Sequence, residues 1–284
     1  MLEIGLMPVS RQSGHEPREK DISMPGRDAF LNPQILANID ANTMPVFTRA
    51  TDYPEGYVVD WHRHTRGQLV YAVHGVMMVA AQGGQWIVPP TRAIWMPAGV
   101  SHMIRCVGVV HMRSLYIQPE AAPQLPVRAQ AVGVSALLRE LIQAATEVES
   151  PYADDSRDGR LMRLLLDELH ALPVLPLHLP IPGDPRLRRI CGHLQEHLDD
   201  ASTLADWAGK LGVDVKTIQR LFASQTGMTF GQWRQQARLL RALELLAGGE
   251  KVLEIALSLG YESPSAFATM FKRQFGLTPS QFFS

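Results

Sequence analysis

The spacing of apolar and polar positions changes character several times along the chain. Between Val46 and Pro119 apolar residues come in short runs ("YVVDW", "QLVYAVHG", "VMMVAA", "GQWIVPP", "RAIWMPAG", "HMIRCVG", "HMRSLYI") cut by Gly and Pro. Such short, punctuated runs predict strands of an antiparallel barrel or sandwich. "VSALLRELIQAATEV" and "DGRLMRLLLDELHAL" then carry Leu at helical spacing, which predicts a helical hairpin. The five prolines of "LPVLPLHLPIPGDP" cannot continue a helix and predict a semi-rigid linker with the domain boundary near Pro180. Everything after it is patterned as helix.

Four segments result: a polar, Pro/Gly-dotted arm over 1–40, expected to be poorly ordered up to about Leu31, a β-rich domain with its hairpin over 41–172, the linker over 173–184, and a helical domain over 185–284. The length of 284 residues agrees with two domains.

The helical domain repeats itself. Phe222-Ala-Ser-Gln225-Thr-Gly227-Met-Thr229 matches Phe271-Lys-Arg-Gln274-Phe-Gly276-Leu-Thr278 at an offset of 49, and "LADWAGKLG" matches "VLEIALSLG" at an offset of 48, Ala208 against Ala256 and Gly212 against Gly260. Each unit reads as helix, Gly turn, helix, in which a small Ala lets the helices approach and the Gly supplies positive φ.

In the first unit Asp214 is placed to cap "VKTIQRLFASQTG", with Ile218, Leu221 and Phe222 on the buried stripe. Lys216, Thr217, Gln219 and Arg220 then face outward, side chains suited to phosphate or to base edges: Arg to guanine, Gln to adenine. A single unit of this kind reads equally well as a solvated hairpin; the duplication favours a DNA reader. In the second unit Ser263 caps, Pro264 opens the helix, and Phe267, Met270 and Phe271 pack inward. Between the units "FGQWRQQARLLRALELLAGG" makes a rod of about 27 Å, long enough to hold two reading helices near one DNA turn, about 34 Å, apart.

Most of 203–282, above all "GYESPSAFATMFKRQFGLTPSQF", resembles the DNA-binding domain of AraC/XylS-type transcription regulators. The resemblance implies that Lys216, Gln219 and Arg220 meet DNA from the first reading helix. It places Ser265, Ala266 and Thr269 outward on the second, where relatives carry larger polar groups, so that this helix, with Lys272 and Arg273, is expected at the phosphates.

In the N-terminal half His62 and His64 stand two apart, on one face if the segment is a strand, and His102 follows the Pro97-Ala98-Gly99 turn. Gly56, five residues, His62-x-His64, three residues, Gln68, six residues, Gly75, then Pro97-x-Gly99-x-x-His102 resembles the cupin pattern. Gln68 stands where that pattern has a glutamate ligand, and Cys106 where it has an asparagine. The three histidines are a candidate site for a divalent metal, zinc, nickel or iron, or the polar end of an effector pocket. Gln68, Tyr71, Trp86 and Trp95 are candidate pocket walls; aromatic residues in a barrel are otherwise plain core. His15, His74, His111, His170 and His178 have no partner spacing.

A net charge of −1 argues against bulk electrostatic capture of nucleic acid but leaves room for a local basic face. Two cysteines at no motif spacing fit a reducing compartment, and no apolar run approaches a membrane span, so a cytoplasmic location is expected. The sequence therefore predicts a homodimeric regulator of transcription, joined through the hairpin, that binds double-stranded DNA and answers to a small molecule or metal in a cupin-like barrel. The alternative is a cupin-type metal-dependent enzyme with an accessory helical domain.

Overall fold

The computed structural model describes residues 33–90, 92–175 and 177–282. Most of the predicted arm, with His15, lies outside these residues; its end forms a helix, α1 (Pro33–Ala41). Seven strands follow: β1 (Val46–Tyr53), β2 (Val58–His62), β3 (Gly67–Ala81), β4 (Gly84–Val88), β5 (Arg92–Met96), β6 (His102–Ile117) and β7 (Gln130–Gly133).

Two long antiparallel strands organise the barrel. β3 pairs with β6 from Gly67↔Ile117 to Ala81↔His102, with irregularities around His74. There the ribbon bends: Gly75 lies so close to β6 that a Cβ would stand 2.2 Å from the Val109 carbonyl oxygen. The first half of β3 pairs with β5 and the second with β4, while β6 pairs with β2 near its start and β1 near its end. Two half-sheets therefore share one bent ribbon. Outside the first lie α2 (Ala136–Ala145) and α3 (Arg157–Glu168), capped by Ser135 and Ser156. Their Leu138, Ile142, Met162 and Leu165 pack against Leu69, Tyr71 and Leu115 of the sheet.

The predicted linker is in part a strand. β8 (His178–Pro180) extends the second half-sheet by pairing with β4, Gly84↔Pro180 to Trp86↔His178. Its one proline, Pro180, is tolerated because β8 is the last strand in the order β1-β6-β3-β4-β8 and one of its sides needs no ladder.

The helical domain comprises α4 (Pro185–Glu196), α5 (Leu204–Leu211), α6 (Val215–Thr226), α7 (Phe230–Ala247), α8 (Val252–Ser258), α9 (Pro264–Phe275) and α10 (Pro279–Phe282). The duplication is real in three dimensions: α5–α6 and α8–α9 each turn through a glycine of positive φ, Gly212 at 63° and Gly260 at 71°. The 18 residues of α7 join the units, capped by a reciprocal Thr229–Gln232 box.

Burial covers more of α7 than a single stripe, with Trp233, Ala237, Leu239, Leu240, Ala242 and Leu243 all buried, because the barrel packs against it as well as the other helices. Trp233 is 1% exposed and its indole N–H donates to the Pro180 carbonyl at 2.9 Å. Nearby, Arg105 of β6 is ion-paired with Glu244 of α7.

Candidate DNA interface and sensor site

On α6 the Asp214 carboxylate accepts from the Lys216 backbone N–H at 2.7 Å, fixing the N-terminal turn. Ile218 and Phe222 are buried, Lys216, Gln219 and Arg220 exposed, and Thr217 half-buried. On α9 Ser263 accepts from Ala266 N–H at 3.1 Å, Phe267, Met270 and Phe271 are buried, and Ser265, Ala266, Thr269, Lys272 and Arg273 are exposed. Among the described residues none gives the Lys216, Arg220, Lys272 or Arg273 side chain an ion pair or hydrogen bond. These cations are left for an outside partner, on helices held by their own caps and cores.

In the barrel His62, His64 and His102 converge, with one ring nitrogen of each within 4.8 Å of those of the other two. The ring centroids of His62 and His102 are 4.2 Å apart, and those of His64 and His102 5.3 Å. The route differs from the strand alternation expected. His62 ends β2, opposite His102, but His64 lies beyond the strand. It is held by its loop: Thr65 donates to Asp40 of α1 through N–H and hydroxyl, both at 2.8 Å, and the His64 carbonyl accepts from Gly99 N–H at 2.9 Å.

Each imidazole is oriented by a backbone carbonyl at Nδ1: Asp60 O at 2.7 Å for His62, Arg66 O at 2.6 Å for His64 and Val100 O at 2.9 Å for His102. A neutral ring that donates from Nδ1 presents a lone pair at Nε2, the arrangement of a metal-binding histidine. Burial holds all three below the usual histidine range, His62 at about 4 and His102 well below it, so the rings are neutral near pH 7. Gln68 Oε1 stands 2.9 Å from His64 Nε2 and 3.2 Å from His102 Nε2, while its amide nitrogen donates to Ser114 Oγ at 2.9 Å and the Tyr116 hydroxyl at 3.2 Å. An oxygen and two imidazole lone pairs thus face one another with no proton between them, a donor set that fits a cation.

The free space beside His62 and Gln68 is small. The cavity touching His62 and Gln68 measures about 20 Å³ and is bordered by Ile35 and Ile39 of α1. It admits an ion or about one water but no organic molecule. The other candidate pocket walls do not share it: Tyr71 and Trp95 are on the opposite face of the sheet, in the core under α2 and α3, and Trp86 stacks on His178 at 4.5 Å. Strand period 2 explains the split, since Gln68 and Tyr71 are an odd number of residues apart on β3.

Several residues were missed by the sequence reading. Ser114 and Tyr116 orient Gln68, Arg105 and Glu244 tie the domains together, and Arg241 pairs with Glu244 within α7. The period-2 pattern of β6 held a signal for the first pair, but nothing local marked the second group. Other histidines pair modestly: His74 and His111 have centroids 5.6 Å apart, and His111 is 3.0 Å from Asp52.

A barrel with a polar interior site, joined to two helix-turn-helix units, is the build of a ligand-responsive regulator of transcription. Comparison with known proteins agrees. Residues 45–174 match the AraC-like ligand binding domain and residues 207–284 a helix-turn-helix domain. The HTH-type transcriptional regulator NimR of Escherichia coli K12 is 34% identical over 221 residues, 78% of this chain and 81% of NimR. The regulatory protein SoxS of the same strain is 37% identical over 90 residues, 31% of this chain and 84% of SoxS. Among solved structures, the C-terminal domain of AraT from Geobacillus stearothermophilus aligns at 29% identity over 35% of this chain and 84% of that one, TM-score 0.33. The chain belongs to the AraC family of transcription regulators. Its named relatives are regulators, and the enzyme reading finds no support among them. No helix of the described residues is long and apolar enough to cross a membrane.

Proposed function

We propose that the protein is a sequence-specific, dimeric regulator that reads base edges with α6, grips phosphate with α9, and binds a divalent cation in its barrel. Base readout is supported by the exposed Gln219 and Arg220 beside a capped helix start, the end of a reading helix that enters the major groove. On α9 the exposed cations are at the C-terminal half and the groups near the cap are small, which suits backbone contact. Dimerisation is supported by Leu137 and Leu164, 49% and 44% exposed on the hairpin. Leu165 of the same hairpin is fully buried within one chain and takes no part in such a contact.

The observation that carries the sensor reading is the convergence of three carbonyl-oriented imidazoles, with one ring nitrogen of each within 4.8 Å of those of the other two. His62, His64 and His102 would hold the cation, with the Gln68 oxygen as a neutral fourth ligand, a set suited to zinc, nickel or iron. Such a cation would supply charge that fastens the end of β2 and the start of β6 to the loop carrying His64. The decisive experiment is genome-wide binding of the tagged protein, with and without chelation, alongside metal analysis of the purified chain. A protein that selects no DNA sites would overturn the regulator reading. One that selects sites but carries no metal, with DNA binding indifferent to chelators, would overturn the cation alone. It would assign the reversed Gln68 amide, whose NH₂ would donate to His64 and His102 while its oxygen accepts from Ser114 and Tyr116.

A further inference from the structure

We infer that the groove beside Trp95, outside the barrel, is a binding site for a lipophilic amine, and that its occupancy is linked to cation binding at His62, His64 and His102. The site stands on the groove alone; the linkage rests on the cation reading.

The groove encloses about 520 Å³, whereas the space inside the barrel is about 20 Å³. Sites that enclose small organic molecules measure about 300–1,000 Å³. The first half-sheet contributes Gly67, Trp95 and Ile117 to the lining, and the turn before β6 contributes Pro97, Ala98 and Val100. The segment after β6 supplies the rest, including Pro119, Pro123 and Pro126. That segment is pinned: the Trp95 indole N–H donates to the Pro126 carbonyl at 2.7 Å, and Leu125 N–H to the Ala122 carbonyl at 3.1 Å. Its prolines restrict it further, so the groove is formed before anything enters it.

Only Trp95, Gln118 and Glu120 bring polar side-chain groups to the lining. The indole N–H is taken by Pro126, and the Gln118 amide reaches the Thr43 carbonyl at 3.4 Å. What remains is apolar wall and one carboxylate, so the body of the ligand is hydrocarbon or aromatic. Glu120 is exposed and, among the described residues, has no hydrogen bond or ion pair. Arg66 is near enough to feel its charge, but that guanidinium donates to the Asn42 and Met44 carbonyls instead. Since no lining residue is a cation, an anion finds no partner there, whereas an ammonium group meets the Glu120 carboxylate.

Groove and cation site share backbone. Gly99, between Ala98 and Val100, donates its N–H to the His64 carbonyl at 2.9 Å, and the Val100 carbonyl orients His102 Nδ1 at 2.9 Å. Gly67 lies so close to Trp95 that a Cβ would stand 2.3 Å from the indole ring, and the carbonyl of the preceding Arg66 orients His64 Nδ1 at 2.6 Å. A molecule packed against Trp95, Ala98 and Val100 therefore restrains the backbone that aims two of the three imidazoles. Ordering a site in advance lowers the entropic cost of filling it, so amine and cation strengthen each other's binding.

The test is calorimetric titration of the full chain, without DNA, both loaded with zinc and stripped by chelation. The probes are phenethylamine, hexylamine and 4-phenylbutylamine, with 4-phenylbutanol as the uncharged control. At least one amine is expected to bind, and 4-phenylbutylamine to bind about threefold more tightly than 4-phenylbutanol. Ala98→Phe, which fills the groove, should weaken both by about tenfold or more. Glu120→Gln should remove most of the preference for the amine and leave the alcohol unchanged. If Ala98→Phe does not fold, Glu120→Gln, at an exposed position, carries the test. Amine and alcohol alike should bind the zinc-loaded chain about threefold or more tightly than the stripped chain. Absence of binding by all three amines, or binding that neither substitution alters, overturns the site. Equal affinity with and without zinc overturns the linkage and leaves the site standing. A chain that takes up no zinc faults the cation reading, and the linkage with it, while the titrations of the stripped chain still decide the groove.

Discussion

His102 and Arg105 stand three residues apart on β6 and face opposite sides of the sheet: His102 toward His62, His64 and Gln68 inside the barrel, Arg105 toward Glu244 on α7. The same short piece of strand is a wall of the barrel site and an anchor of the DNA-binding domain.

Arg220→Ala is expected to cost roughly 1–3 kcal/mol on the specific site and to relax preference at one base pair. Competition binding against a library of operator variants measures both. An unchanged ratio of specific to non-specific affinity would show that Arg220 does not read bases.

Replacing Lys272 or Arg273 by Ala should weaken binding to all DNA about equally and reduce the slope of log affinity against log salt by about one unit each. Titrations over a range of salt concentrations give the slope. A change of sequence preference instead would move α9 from the phosphates to the bases.

The paired substitution Leu137→Asp with Leu164→Asp should shift the full chain from dimer to monomer in sedimentation at micromolar concentration. Both side chains are substantially exposed, so the fold of one chain should survive, as circular dichroism would report. A double variant that still sediments as a dimer would locate the dimer contact elsewhere.

Purified protein is expected to carry about one equivalent of divalent metal, and a cation at a hundred times its dissociation constant should add about 2.7 kcal/mol of stability. Chelation should lower the melting temperature accordingly. His62→Gln, at the half-buried member of the cluster, should remove most of that difference while leaving the chelated protein about as stable as before. Gln68→Glu should strengthen retention of the metal by adding a charged ligand. Equal melting temperatures for wild type and His62→Gln with and without chelator would count against the site.

The sequence is most legible where a short-range pattern and a physical constraint coincide. The duplicated helix-turn-helix units were readable because a cap, a buried stripe and a Gly turn recur together, and the turn glycines do adopt positive φ. The three histidines were also readable, although not wholly for the expected reason: alternation placed His62, while His64 is brought in by a loop tied to Asp40. Of the candidate pocket walls only Gln68 lies at the barrel site, because residue type alone does not say which face of a strand is which. Tyr71 and Trp95 belong to the hairpin side and only Gln68 to the barrel site. The domain interface was invisible for a different reason. Arg105 and Glu244 are 139 residues apart, and neither carries a local feature that separates it from an ordinary surface charge.

The pairing of β8 with β4 determines how the protein can be cut. The segment after the hairpin belongs to the barrel's sheet, since Val174 bridges Val132 and His178 to Pro180 complete the ladder beside β4. A sensor fragment ending at residue 172 would strip that edge and expose a row of unpaired backbone groups on β4, an invitation to intermolecular pairing. A DNA-binding fragment beginning at residue 185 would in turn leave the buried Trp233 indole without the Pro180 carbonyl. The segment from 173 to 182 is needed by both halves, so no single cleavage point yields two intact domains.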